Sequence, residues 1–168
     1  MNSVMMTLED PFGSGTGASM FAYLGVSASI VFSCLGAAYG TARAGAGLAS
    51  MGVMHPQVVM RCMIPIVMAG VLGIYGLIIS VILLQNIKGV TPASGDFTPF
   101  NAFAQLAAGL SVGLSSLAAG YAIGIVGDYG VRAVAKQPAL YVGMILMLIF
   151  SEALALYGLI VAIVLSQK

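Results

Sequence analysis

Four apolar runs, each longer than twenty residues, constrain this chain more than any other feature. They cover residues 21–42, 62–84, 103–126 and 140–165. A helix needs about 20 mainly apolar residues to cross a bilayer. Runs this long, with no alternation of polar and apolar positions, do not suit the strands of a membrane barrel. Composition agrees: 60% of the residues are hydrophobic, 7% are charged and the mean hydropathy is +1.07. Too few polar side chains remain to cover a water-facing surface. The expected fold class is an all-α membrane protein with four transmembrane helices. The net charge of +1 offers no field to attract nucleic acid. Cys34 and Cys62 lie in or beside apolar runs and read as small buried hydrophobes, not as a disulfide or metal pair. The first twenty residues carry Glu9 and Asp10 but no basic residue, so the first span is expected to act as its own targeting signal.

The chain repeats itself at an offset of 82 residues. Ser29, Ser33, Leu35, Ala37 and Tyr39 fall on Ser111, Ser115, Leu117, Ala119 and Tyr121. Gly45 and Pro56 fall on Gly127 and Pro138, and Tyr75-Gly76-Leu77-Ile78 on Tyr157-Gly158-Leu159-Ile160. Each half is a helical hairpin, and a hairpin returns the chain to its starting side, so the copies are parallel repeats. The expected organisation is an N-terminal tail (1–19), a first hairpin (20–86), a connection (87–101) and a second hairpin (102–168). The first and third connections hold Arg43, Arg61, Arg132 and Lys136, whereas the middle one holds only Lys88. Basic residues stay on the cytoplasmic side. Both termini and the middle connection are therefore expected in the lumen.

The halves differ at one chemically important place: Glu152 falls on Gly70. Glu152 stands near the middle of the fourth run, where an ionised acid costs about 3 kcal/mol. The positions three and four away on its own helix are Leu148, Ile149, Ala155 and Leu156, none of which can pair with it. Apolar surroundings favour the neutral acid at rest. An acid that ionises only when water or a cation reaches it is a reversible proton carrier. The structural alternative is an acid bonded to a neighbouring helix.

Gly25, Ser29, Ser33, Ala37, Thr41 and Gly45 recur every four residues, and the third span repeats the pattern while adding Gly109 and Gly113. Small residues at this spacing let helices approach closely in lipid. Spans two and four are bulkier. Two slim and two bulky helices make a wedge, and wedges close into a ring with the slim side inward. Gly25, Ser29, Ser33, Ala37, Gly109 and Gly113 are the expected ring-packing positions, with ordinary packing inside a single four-helix bundle as the alternative. The glycine runs at 13–17 and 45–52 follow no strand and lack a phosphate-loop lysine, so no nucleotide or other cofactor is expected. His55 has no second ligand near it in sequence, so no metal site is expected.

The segments CLGAAYGTARAGAG (34–47), IPIVMAGVLGIYGLI (64–78), GLSVGLSSLAAGYAIGIVGDYGVR (109–132) and QPALYVGMILMLIFSEALALYGLIVAIVL (137–165) resemble the c-type proteolipids of the eukaryotic vacuolar-type proton-pumping ATPases. The resemblance covers nearly the whole chain, departing only in the N-terminal tail and the middle connection. It implies a rotor ring built from copies of the chain and related proteolipids. In that ring Glu152 would bind one proton, a stator subunit would supply an arginine that helps release it, and ATP hydrolysis in a separate soluble sector would turn the ring. Central-stalk subunits would dock on the cytoplasmic connections around 43–61 and 127–138. Macrolide inhibitors and carbodiimides would act near Glu152, with Tyr157 in the same region. Sodium-carrying relatives place polar ligands where this chain has Val71, Leu72 and Ile123, which implies protons as the cargo. Location in a vacuolar, lysosomal or other endomembrane follows from the same resemblance. One carboxylate per four spans means few protons per turn, which suits a pump working against a steep gradient at about 2.3 kcal/mol per charge per 100 mV.

The main alternative is a four-span secondary transporter that couples export to the same glutamate. It would need a substrate pocket with aromatic residues beside the acid. Only Tyr157 is near in sequence, and it lies off the glutamate's face. A ring with a channel or purely structural role is a further alternative. Extraction as a large multi-copy ring would separate the ring readings from the transporter.

Overall fold

The computed structural model describes residues 15–88 and 99–167. Four long helices make up almost all of it: α1 (Gly15–Gly52), α2 (Ile64–Lys88), α3 (Pro99–Lys136) and α4 (Tyr141–Ser166). All four are long and apolar enough to cross a membrane. Most of the expected N-terminal tail and lumenal connection lies outside the described residues.

α1 and α3 are each 38 residues long, well beyond the apolar runs that mark them. At 1.5 Å per residue each extends about 57 Å, against a hydrocarbon core of about 30 Å. Much of 43–61 and 127–138, read from sequence as connections, is therefore helix standing clear of lipid. The reason is local. Polar side chains end a membrane span without ending a helix. A proline follows each helix end: Pro138 comes two residues after the Lys136 end of α3, and Pro56 four residues after the Gly52 end of α1, past a turn at Val53–Met54. His55 (φ −136°, ψ 72°) and Gln137 (φ −142°, ψ 102°) leave the helical region immediately before Pro56 and Pro138. Each proline then opens a short 3-10 turn, Pro56–Val58 and Pro138–Leu140. The two halves thus turn by the same device.

The repeat is visible in space. α1 packs more extensively on α3 than any other pair of helices, and the two run parallel. Phe21 meets Phe103 with ring centroids 5.2 Å apart, and Tyr39 stacks on Tyr121 at 5.1 Å and 18°. Both pairs are separated by the repeat offset of 82 residues. A glycine seam allows this approach: a methyl group on Gly109 would collide with the Gly25 carbonyl, and one on Gly120 with the Gly36 carbonyl.

The other face of the same helices closes the hairpins. Ser29 donates to the Gly76 carbonyl of α2 at 3.3 Å, and its repeat counterpart Ser111 donates to the Gly158 carbonyl of α4 at 3.1 Å. Ser33 packs on Gly76, and Ala37 lies 3.6 Å from where a Cβ on Gly73 would stand. Gly113 packs against Ala28 and Phe32. The small residues expected at ring contacts thus all make contacts within the chain, divided between two faces. Gly25 and its neighbours Gly36 and Gly40 serve α3, while Ser29, Ser33 and Ala37 serve α2.

α2 and α4 flank the α1–α3 pair and meet each other sparingly. Their outer faces leave Val67, Ile74, Phe150, Ile160 and Val164 more than half exposed, as lipid-facing helices do. Leu72, Ile123, Met144 and Leu148 are fully or almost fully buried where α2, α3 and α4 converge. Cys62 is buried as expected, but Cys34 is exposed on α1. It points away from both neighbouring helices because Ser33 and Gly36, not Cys34, occupy the packed faces.

Candidate functional site

α4 turns Met144, Leu148, Ala155 and Ala162 into the bundle. Glu152 is four residues after Leu148 and three before Ala155, so helical geometry places it beside that inward stripe. It is half-buried. Its carboxyl Oε1 accepts a hydrogen bond from the Tyr75 hydroxyl of α2 at 2.9 Å. Nothing on its own helix could pair with the acid, but a partner lies across the gap between the two hairpins.

Several features bring Tyr75 there. Gly76, next in sequence, seats α2 against Ser29 and Ser33 of α1. Leu72, one turn before, anchors the same face in the core. The tyrosine ring packs against the two larger apolar clusters of the bundle, and its hydroxyl reaches out to α4. In the sequence Tyr75 stands out only as a repeat marker. The available signal was its chemistry: between Cys62 and Leu84, Tyr75 and Ser80 carry the only hydroxyl groups.

The rest of the site is apolar. Leu72 and Ile123, both apolar, are completely buried in the adjoining core. The ion pairs among the described residues lie elsewhere, where Asp128 meets Arg132 at 2.8 Å and Arg43 at 3.5 Å. A carboxyl placed here can accept the Tyr75 hydrogen bond when protonated, through its carbonyl oxygen, and also when ionised. On ionisation the same bond becomes charge-assisted and stronger. Tyr75 can therefore hold either form of the carboxyl while it is turned inward.

The other residues singled out from sequence are separated from this bond. Tyr157 is on the outer face of α4 with its side chain 63% exposed. Gly70 is exposed on α2, and a Cβ there would meet nothing within 4 Å. Asp128 and Arg132, read as parts of a connection, belong to α3, and Asp128 is only 4% exposed. Gly47 lets α1 approach it: a Cβ at that position would fall 2.8 Å from the Asp128 Cα. Asp128 thus ties the ends of α1 and α3 together beside the two proline turns.

Comparison with known proteins matches the family of the ATP synthase C subunit twice along the chain, at residues 24–83 and 106–165. The matches are spaced by the internal repeat. The human 16 kDa proteolipid c subunit of the V-type proton ATPase is 58% identical over 151 residues, covering 90% of this chain and 94% of the relative. Proteins of the same name from Nephrops norvegicus (54% over 156 residues; 93% and 96%) and Ascaris suum (55% over 151 residues; 90% and 92%) are similarly close.

Proposed function

The chain belongs to the ATP synthase C-subunit family, alongside the 16 kDa proteolipids of V-type proton ATPases, and from that premise we propose that Glu152 is the proton carrier of a rotor ring in the pump's membrane sector. The observation that carries this reading is the place of Glu152, the lone acid of α4 near mid-span in apolar surroundings, in a chain 58% identical to a V-type proton ATPase proteolipid. The hydrogen bond from Tyr75 holds the acid inward and by itself would serve a structural acid equally. A protonated Glu152 held by Tyr75 is neutral, and the ring carries it through lipid without the cost of a buried charge. Where a stator subunit opens a water path and presents an arginine, the carboxyl turns out and releases its proton. A second water path reloads it. The arginine favours the ionised form and prevents a loaded site from passing unchanged. Turning is driven by ATP hydrolysis in a separate soluble sector, so this subunit performs no hydrolysis.

The remaining assignments follow the same reading. The ends of α1 and α3 and the two proline turns face the cytoplasm, where Arg43, Arg61, Arg132 and Lys136 meet the central stalk. Both termini and the middle connection (87–101) face the lumen of an acidified organelle. The carboxyl bound by Tyr75 is the group that carbodiimides modify. Macrolide inhibitors bind from the lipid side near it.

The test is ATP-driven acidification of vesicles, measured beside the amount of assembled complex. Glu152→Gln keeps the shape and the acceptor for Tyr75 but has no proton to release. It is expected to assemble and not to acidify. Glu152→Asp keeps the acid on a shorter arm and is expected to retain partial activity. Normal assembly with normal acidification in Glu152→Gln would remove the carrier role.

A further inference from the structure

We propose that every boundary between neighbouring copies in the ring contains a second, carboxylate-free counterpart of the proton site, with Tyr157 of one copy facing Gly70 of the next. The proposal rests on the ring reading above and deepens it by fixing the register between copies. Within the chain, hairpin two follows hairpin one by a shift of 82 residues, seen directly in the Phe21–Phe103 and Tyr39–Tyr121 pairs. Closing a ring requires the next copy's first hairpin to follow hairpin two by the same step.

The free surfaces fit that step. Leu24, Val31 and Leu35 of α1 are exposed. Their repeat counterparts Leu106, Gly113 and Leu117 are the α3 positions that receive α1 inside the chain, beside Gly25, Phe32 and Gly36. The uncovered α1 face is therefore the one shaped for the α3 of the preceding copy. The occupant of this surface is a second copy of the same chain.

Applying the same step to the site gives a specific result. Tyr75 donates to Glu152, on the hairpin that follows its own. One repeat later, Tyr157 occupies the place of Tyr75, and Gly70 of the next copy occupies the place of Glu152. The exposures agree: Tyr75 is half-buried by the second hairpin, whereas Tyr157 is 63% exposed because the hairpin that would cover it belongs to another copy. Gly70 is open on the matching face, with room for a side chain. This boundary site keeps the donor and the space but lacks the acid, so a carboxylate placed at position 70 would complete it.

Two arms test the proposal on the assembled complex. In the first, Gly70→Glu is added to Glu152→Gln. ATP-driven acidification is expected to return, with carbodiimide now modifying position 70, and adding Tyr157→Phe is expected to lower the regained rate several-fold. No regained rate in an assembled complex, or a regained rate indifferent to Tyr157→Phe, overturns the proposal. The second arm does not depend on that variant folding. Gly70→Cys and Tyr157→Cys are combined in a Cys34→Ala, Cys62→Ala background and treated with a short bifunctional maleimide. Cross-links are expected between chains, giving dimers and longer oligomers on a denaturing gel, and each single variant should give none. A complete ring without interchain cross-links overturns the register while leaving the ring itself intact. Extraction of the wild-type chain without any multi-copy ring would overturn both.

Discussion

Replacing Tyr75 with phenylalanine isolates the one contact that holds Glu152. The ring of Tyr75 packs against two apolar clusters, and phenylalanine keeps that packing. Only the hydroxyl is lost, and with it the 2.9 Å bond to Glu152 Oε1. A hydrogen bond of this kind contributes about 1 kcal/mol net to a neutral partner, so the balance between inward-held and outward-turned carboxyl should move by about fivefold. Because Glu152 has no other side-chain hydrogen bond among the described residues, little compensation is expected. The assay is the rate at which a hydrophobic carbodiimide modifies Glu152 in assembled complexes, read by mass spectrometry of the peptide. Tyr75→Phe should modify several-fold faster than wild type, with unchanged ring assembly and a thermal stability close to wild type. Equal rates would refute the claim that Tyr75 governs presentation of the acid. A collapse of assembly would show instead that the hydroxyl is mainly structural.

Three further outcomes follow from the packing and charge distribution. Gly120→Leu drives a side chain into the Gly36 backbone and should destabilise the α1–α3 pair by more than the roughly 1–3 kcal/mol typical of overpacking, because backbone cannot yield as a side chain can; Gly45→Ala, with nothing within 4 Å, should leave complex yield and melting temperature unchanged. Asp128→Asn removes the charge shared by Arg43 and Arg132 and should cost about 1–3 kcal/mol, less than a fully buried pair because both arginines are half exposed; a lowered thermal dissociation temperature of the purified ring would report it. A single cysteine at Ala46 should react with a membrane-impermeant thiol reagent added from the cytoplasm, and one at Ser94 should not, whereas labelling at Ser94 alone would invert the topology.

Much of this arrangement is legible from residue pattern because a membrane makes hydropathy nearly decisive. Runs of more than twenty apolar residues have no soluble alternative, and the Tyr-Gly-Leu-Ile pair and Pro56/Pro138 expose the duplication. Glu152 stands out for the same reason: an acid in an apolar run is costly and so is rarely accidental. What hydropathy does not give is the length of α1 and α3. It marks where lipid ends, while the helices continue to Gly52 and Lys136. Asp128 is obscured in the same way, since its charge suggests a connection when it is a buried tie on a helix. The four-residue spacing of small side chains is readable, but which neighbour each face meets depends on rotation about the helix axis. Tyr75 escapes because a bond between α2 and α4 joins residues 77 positions apart, and helical periodicity reports only neighbours on the same helix.

The claim that Glu152 carries protons on a turning ring is tested most directly by mixing wild-type and variant copies. Wild-type chain and Glu152→Gln are co-expressed at increasing variant fractions, and ATP-driven acidification is measured per assembled complex. In a rotor every carboxyl must pass the same stator, so one dead copy obstructs all the others. Acidification should therefore fall far more steeply than the wild-type fraction and be lost when most rings hold even one variant copy. A decline in simple proportion to the wild-type fraction would mean that each copy works alone, and activity surviving in rings made only of the variant would mean that Glu152 does not carry the proton.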